Sequence, residues 1–260
     1  MAQVAELLDG WSPDAIAAGG VFEPDAMSID TAAVVAGFIR SFHRHGGTTL
    51  LSHTAVRCEQ RADGSWIVHT PHGSLHTDHV VNAAGAWADA VAVDAGLQPI
   101  GAQAFRRTVA IATAPASIAH WPMVMDIAGR YYCEPEPGGL LVSPADETPS
   151  DPCDAQPEEL DVALALEHVR DATTLPLRSV RRAWAGLRTF APDRVPVLGS
   201  DPSATGFWWF AGQGGAGIKT APAMGALLAR LMFGEGIDDD AIAVGLDVDS
   251  LSPARFRSVR

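Results

Sequence analysis

The chain has 260 residues, enough for one large domain or two small ones with a sizeable buried core. Its 47% hydrophobic and 19% charged residues argue for a folded protein and against disorder, while a formal net charge of −13 argues against general affinity for nucleic acid or an anionic membrane surface. Any anionic ligand must therefore be held by local arginines and not by the overall field.

The opening, through Asp30, reads as a short helical fragment running into loop, with no initial strand. Asp30 is placed to cap a helix over Thr31 to His45, whose inner face would carry Val34, Val35, Phe38, Ile39 and Phe42 and which Gly46-Gly47 would end. Short strands are expected at Thr48 to Leu51, Ala55 to Glu59, Trp66 to Thr70 and Ser74 to Thr77, separated by Ala62-Asp63-Gly64 and Pro71-His72-Gly73. His79 to Trp87 reads as a buried strand ending in small residues around Gly85, followed by a small-residue helix to Ala95. Small residues at a strand's C-terminal end let a ligand lie against the backbone.

Further strands are expected at Ala104 to Thr113, around Trp121 to Asp126, at Tyr131 to Glu134 and at Leu140 to Ser143, with Pro137-Gly138-Gly139 as a turn. Pro144 to Pro157 is an acidic, proline-rich loop, suited to a surface excursion or lid. Glu158 to Thr174 has helical periodicity, Arg178 to Phe190 returns as a strand, and Val195 to Gly199 leads to Phe207 to Ala211. That strand runs into a glycine turn and then a helix beginning near Lys219, in which Pro222 should be tolerated as a first-turn residue. After Gly234 the tail is acidic and then basic.

Gly212-Gln213-Gly214-Gly215-Ala216-Gly217 matches G-x-G-x-x-G to the letter. A dinucleotide fingerprint, however, needs a second parallel strand after the helix with an acidic residue for the ribose, and only a short polar tail follows Phe233. The loop then reads as a structural glycine turn or as a helix start aimed at a different part of a cofactor. Arg106-Arg107 and Arg188 are candidates for holding a carboxylate, since a guanidinium fork donates two parallel bonds; the alternative for each is an ordinary salt bridge. Tyr131 and Tyr132 could add a phenolic donor or simply pack.

Among the histidines, His43 and His45 are two apart on a helix and do not face each other, and the His72, His76, His79 group is a weak zinc candidate. No Gly-x-Ser-x-Gly elbow occurs, and Asp146, Glu147, Glu158 and Glu159 read as solvated charges. Neither a metal site nor a catalytic side chain is assigned. Cys58, Cys133 and Cys153 form no C-x-x-C pair, which suits a reducing cytoplasm, and no apolar run reaches the roughly 20 residues of a membrane span.

Three stretches together resemble the FAD-dependent D-amino-acid oxidase superfamily: Val80-Val81-Asn82-Ala83-Ala84-Gly85-Ala86-Trp87, Trp184-Ala185-Gly186-Leu187-Arg188, and Val195 to Gly199 followed by Phe210 to Gly217. The similarity is closest to D-arginine and other D-amino-acid dehydrogenases, with glycine and sarcosine oxidases further off, and extends through Phe22 to Asp25, Trp121 to Met123 and Leu141 to Pro144. Family members open with a βαβ unit that holds the FAD pyrophosphate, and this chain is expected to start after it. The resemblance implies an α/β (α+β) protein: an incomplete FAD-binding, glutathione-reductase-like domain with a mixed, largely antiparallel substrate-binding sheet. It also implies a division into residues 1–96 (partial FAD-binding), 97–187 (substrate-binding) and 188–260 (the rest of the FAD-binding domain).

By the same resemblance, Arg188 would hold the substrate carboxylate, with Tyr132 and Arg107 beside it and Met123 and Met125 near the substrate side chain. Gly212, Gln213, Gly214, Gly215, Ala216, Gly217, Ile218 and Lys219 would meet the flavin ring, and Val56 with Ala83, Ala84, Gly85 and Ala86 would contact the nucleotide. The implied reaction is oxidation of a D-amino acid, or a related amino acid, to its imino acid by hydride transfer to flavin N5, with a separate electron acceptor or the missing N-terminal segment as the expected partner. The alternative is a non-catalytic remnant, or a subunit that needs a separate nucleotide-binding partner.

Overall fold

The computed structural model describes residues 6–257, so the start of the N-terminal helical fragment and the last residues of the basic tail lie outside the described residues. The chain divides into two compact units, one built from residues 1–25 and 104–187, the other from 26–103 and 188–260.

The second unit opens with helix α1 (Thr31–Arg44), where the Asp30 carboxylate accepts from the Ala33 amide at 2.9 Å as the N-cap. The expected inner face is not inner: α1 has no buried residue, and Val35, Phe38, Ile39 and Phe42 are exposed. No strand forms at 48–51. Strands β1 (Arg57–Gln60), β2 (Trp66–Thr70) and β3 (Gly73–Thr77) make an antiparallel meander anchored by Trp66, whose indole N–H reaches the Thr205 carbonyl at 2.9 Å. Strand β4 (Val80–Asn82) follows, then a 3-10 turn (Gly85–Trp87) and helix α2 (Ala88–Asp94).

A six-stranded sheet lies almost wholly in the first unit: β5 (Gln103–Ala112), β6 (Val124–Met125), β7 (Tyr132–Glu136), β8 (Gly139–Ser143), β9 (Thr148–Ser150) and β10 (Val180–Phe190), with the first residue of β5 and the last three of β10, 188–190, belonging to the second unit. Its order is β10-β5-β8-β7-β6, with β9 pairing β5 inside what read as unbroken loop. Helix α3 (Glu159–Ala172) covers one face, burying Ala165, Leu166, Val169 and Ala172 with Ala110, Ala112, Cys133, Leu140 and Val142. Arg106 points to that face and ties the helix down through Asp161 (2.8 Å) and Glu158, which makes it a structural ion pair.

Back in the second unit, β11 (Val197–Ser200) pairs antiparallel with β12 (Phe207–Ala211), and β12 pairs parallel with β4. The unbroken apolar run of β12 has a physical reason: Phe207, Trp209 and Ala211 enter the core shared with Trp66, Ala88 and Val197, while Trp208 and Phe210 pack on the other side with Leu198, Met224, Leu227 and Leu228. A strand covered on both faces needs no polar alternation. Helix α4 (Gly217–Met232) supplies that second layer. Because α4 begins two residues before Lys219, Pro222 lies past the first turn, where a missing N–H leaves the Ile218 carbonyl without its helical donor. The tail is also more ordered than its polar composition suggests: α5 (Asp239–Ala243) is capped by Asp238, and Leu251 and Pro253 are buried. Among the described residues no helix is long and apolar enough to cross a membrane.

Candidate functional site

In the second unit, β12 ends at Ala211 and the chain turns through two residues that only glycine adopts easily, Gly212 (φ 72°) and Gly214 (φ 53°). The loop is stitched to the end of β10. Gly214 donates its N–H to the Thr189 carbonyl at 2.9 Å, and Gln213 forms a bridge with Phe190. A Cβ on Gly214 would fall 2.1 Å from the Phe190 ring, which is itself covered by the Arg194 guanidinium 3.9 Å from its centroid. Arg188, two residues earlier on β10, is half-buried and lies against Gly215.

The loop delivers a helix start with an unusual charge arrangement. Ala216 at the N-cap has no side chain to cap α4, no acidic residue occupies its first turn, and Lys219 stands there instead. A cation at a helix N-terminus costs about 0.3–1 kcal/mol unless an anion joins it. The neighbouring Gln213 Nε2 is buried without a hydrogen-bond partner. A negatively charged, hydrogen-bond-accepting group would answer both features.

The second expected cofactor stretch leaves the same end of the same sheet, because β4 and β12 are parallel and Asn82 is in register with Trp209. Asn82 organises that turn: its amide donates to the Ala88 carbonyl at 2.8 Å, and its oxygen accepts from the Ala84 N–H at 3.3 Å. Gly85 takes φ 57° with open space where a Cβ would point, and Ala83 is exposed, so bare backbone is presented from Ala83 to Ala86. Ala83–Ala86 and Gly212–Lys219 are thus brought to one sheet end. Val56 stands apart, exposed, its N–H on the His69 carbonyl at 2.9 Å.

In the first unit, Arg107, Tyr132 and Met125 share the sheet face opposite α3, since Tyr132 is in register with both Ser143 and Met125, and Arg107 alternates with core-facing Arg106 and Thr108. Met123 and Met125 are exposed and Tyr132 is buried. Arg107 is engaged: it donates to the Asp146 carbonyl at 2.7 Å and to Glu147 at 3.3 Å. Asp146 is not a solvated charge, as its carboxylate accepts from the Thr108 amide at 2.7 Å and from the Thr108 hydroxyl at 3.1 Å. Tyr131 is a core residue between Trp11 and His168, and burial pushes its phenol up to about 12.

Asn82, Asp89 and Phe190 escaped the sequence reading. Asp89 accepts from the amides of Ile100, Gly101 and Ala102 at 2.8–3.0 Å, and the one legible signal was a polar Asn inside an apolar strand. The histidines do not gather: His79 accepts from Trp208, His72 rests against His53, and no group of three or more metal-ligating side chains occurs among the described residues.

Comparisons with known proteins bear on the family and the fold. The family model described as DAO, FAD dependent oxidoreductase, matches residues 1–231. The chain is 27% identical over 238 residues to mitochondrial dimethylglycine dehydrogenase of Homo sapiens (83% of this chain, 27% of that one) and 27% identical over 232 residues to glycine oxidase of Bacillus subtilis (85% and 59%). Among solved structures, L-proline dehydrogenase from P. horikoshii superposes with a TM-score of 0.74 at 22% identity (86% of this chain, 59% of that one), and glycine oxidase from Geobacillus kaustophilus with 0.69 at 21% (85% and 57%), which bears on the fold. The chain spans less than two thirds of the length of each of these relatives. With the family match covering most of its length, the chain belongs to the DAO family of FAD-dependent oxidoreductases.

Proposed function

We propose that this chain is the substrate-binding and flavin-facing part of an FAD-dependent enzyme that oxidises a D-amino acid, or a related amino acid, to its imino acid. The observation that carries this reading is the seat of Arg188, half-buried against the glycine loop that opens an uncapped helix. FAD, when bound, supplies the acceptor for the hydride that leaves the substrate α-carbon. The α4 start would stabilise negative charge next to it, and the Gln213 amide would gain the acceptor it lacks. Arg188 would hold the substrate carboxylate by its two-donor fork, and the resemblance adds Arg107, Tyr132, Met123 and Met125 as substrate contacts. Rate enhancement then comes from positioning, and no side-chain base is required if the amine arrives neutral. On this reading residues 1–96 and 188–260 carry the cofactor, 97–187 the substrate, and the protein works in a reducing cytoplasm.

The test is anaerobic reduction: FAD-loaded protein should lose its yellow absorbance with at least one member of a D-amino-acid panel. Retained colour with every D-amino acid, L-amino acid and N-methylglycine would overturn the reading. Arg188→Ala should raise KM by about 10- to 100-fold, the worth of a charge-assisted pair, with a smaller change in kcat.

A second reading, a subunit that needs a separate nucleotide-binding polypeptide, is favoured by β4. Among the described residues its only partner is β12, and an open strand edge presents a row of backbone N–H and C=O groups to which another chain can pair. FAD bound tightly by the 260-residue chain alone would sink this second reading.

A further inference from the structure

We infer that Gly215 is a positioning residue for Arg188: the side chain it lacks leaves the space in which the guanidinium rests, and this contact sets where the fork can meet a carboxylate. The inference rests on the proposed role of Arg188. A Cβ built on Gly215 would lie 2.9 Å from Arg188 Nη1, 3.3 Å from Cζ and 3.7 Å from Nε, so the charged end of the side chain lies directly over the bare α-carbon.

The loop glycines serve different ends. Gly212 and Gly214 are held at positive φ, so their requirement is conformational. Gly217 would carry a Cβ at an ordinary 3.4 Å from that of Gln213. Only Gly215 combines a backbone that other residues adopt with a space filled by Arg188.

The loop cannot retreat from an added methyl. It is fastened on the other side by the Gly214 N–H to the Thr189 carbonyl, by the Gln213–Phe190 bridge, and by the Phe190 ring against Gly214. Those anchors follow Arg188 directly on β10, so loop and arginine are clamped to one strand. The flexible guanidinium must give way, moving by roughly half an ångström to reach ordinary contact, and displacements of that order cost a two-point hydrogen bond much of its strength.

The experiment uses acetate as the probe, with dissociation constants from the change in the acetate methyl NMR signal on titration against the full chain, a readout every variant keeps, and melting temperatures beside them. Gly215→Ala should weaken acetate about 10-fold while melting close to the unaltered chain, whereas Gly225→Ala, a change on α4 with open space around it, should leave acetate affinity unaltered and melt no lower. In an Arg188→Ala background the Gly215→Ala change should have no further effect, because a residue that acts through another is not additive with it. If Arg188→Ala binds acetate normally, the carboxylate role of Arg188 fails and the inference falls with it. If Arg188→Ala weakens acetate but Gly215→Ala does not, only the positioning role is overturned. A Gly215→Ala protein that unfolds, or that loses affinity equally in both backgrounds, overturns it as well, since the loss is then one of loop structure.

Discussion

At the scale of single residues, the three cysteines occupy three different environments. Burial pushes the Cys133 thiol up to about 12, and burial with the nearby Asp94 carboxylate raises that of Cys58, while Cys153 is exposed. Thiolate is the reactive form. A thiol reagent at mildly alkaline pH should therefore modify Cys153 alone in the native protein and all three thiols after denaturation; fast native labelling of Cys133 would contradict its burial. Asp126 is the matching case for a carboxylate. Hydrogen bonds from the Arg130 side chain hold it down to about 2 against 3.8 ordinarily. Its folded value is thus below its unfolded one, so its contribution to stability is complete above about pH 4 and is lost as pH falls towards 2. Asp126→Asn should flatten the fall in melting temperature across that window, and an unchanged acid limb would exclude the pair as a contributor. Neither effect was legible in the sequence. A cysteine's depth depends on which strand covers it, and Asp146 read as a solvated charge because its partner Thr108 is distant in sequence.

At the scale of elements, local signals located most helices and strands. The Asp30 cap and the apolar stripe placed α1 within a residue of its end, and β2 and β12 fall where the apolar runs stand. What such signals omit is the partner. The apolar stripe of α1 is exposed, whereas the similar stripe of α4 is buried in the second unit's core. Two substitutions separate these cases: Phe38→Ala should change the stability of the isolated chain by less than about 0.5 kcal/mol, and Leu228→Ala should cost about 2–5 kcal/mol. Equal losses in denaturant unfolding would mean that α1 is packed after all. The tail misled for the opposite reason. Its acidic composition suggests solvation, yet the buried Leu251 and the buried Pro253 of a Ser252-capped turn dock it.

At the scale of the whole molecule, charge and exposed apolar surface oppose each other. The formal charge of −13 keeps copies apart, while the β4 edge and the α1 stripe offer groups to pair or bury. Raising ionic strength shortens the screening length from about 30 Å at 0.01 M to about 3 Å at 1 M. The 260-residue chain on its own should then self-associate as salt rises, seen as a growing mass in sedimentation or light scattering. A monomer at every salt concentration would indicate that these surfaces are too small or too separated to associate.

The sequence by itself determined the family, the element order and the glycine loop's place at a helix start, because these depend on neighbours a few residues apart and on the order of short motifs. The tertiary structure alone decided that β4 and β12 end together, that Arg107 and Tyr132 share a face while Arg106 turns to α3, and that Arg188 rests on Gly215. Each of those joins residues far apart in the chain or depends on strand register. Register is set by burial, which no local pattern states in full.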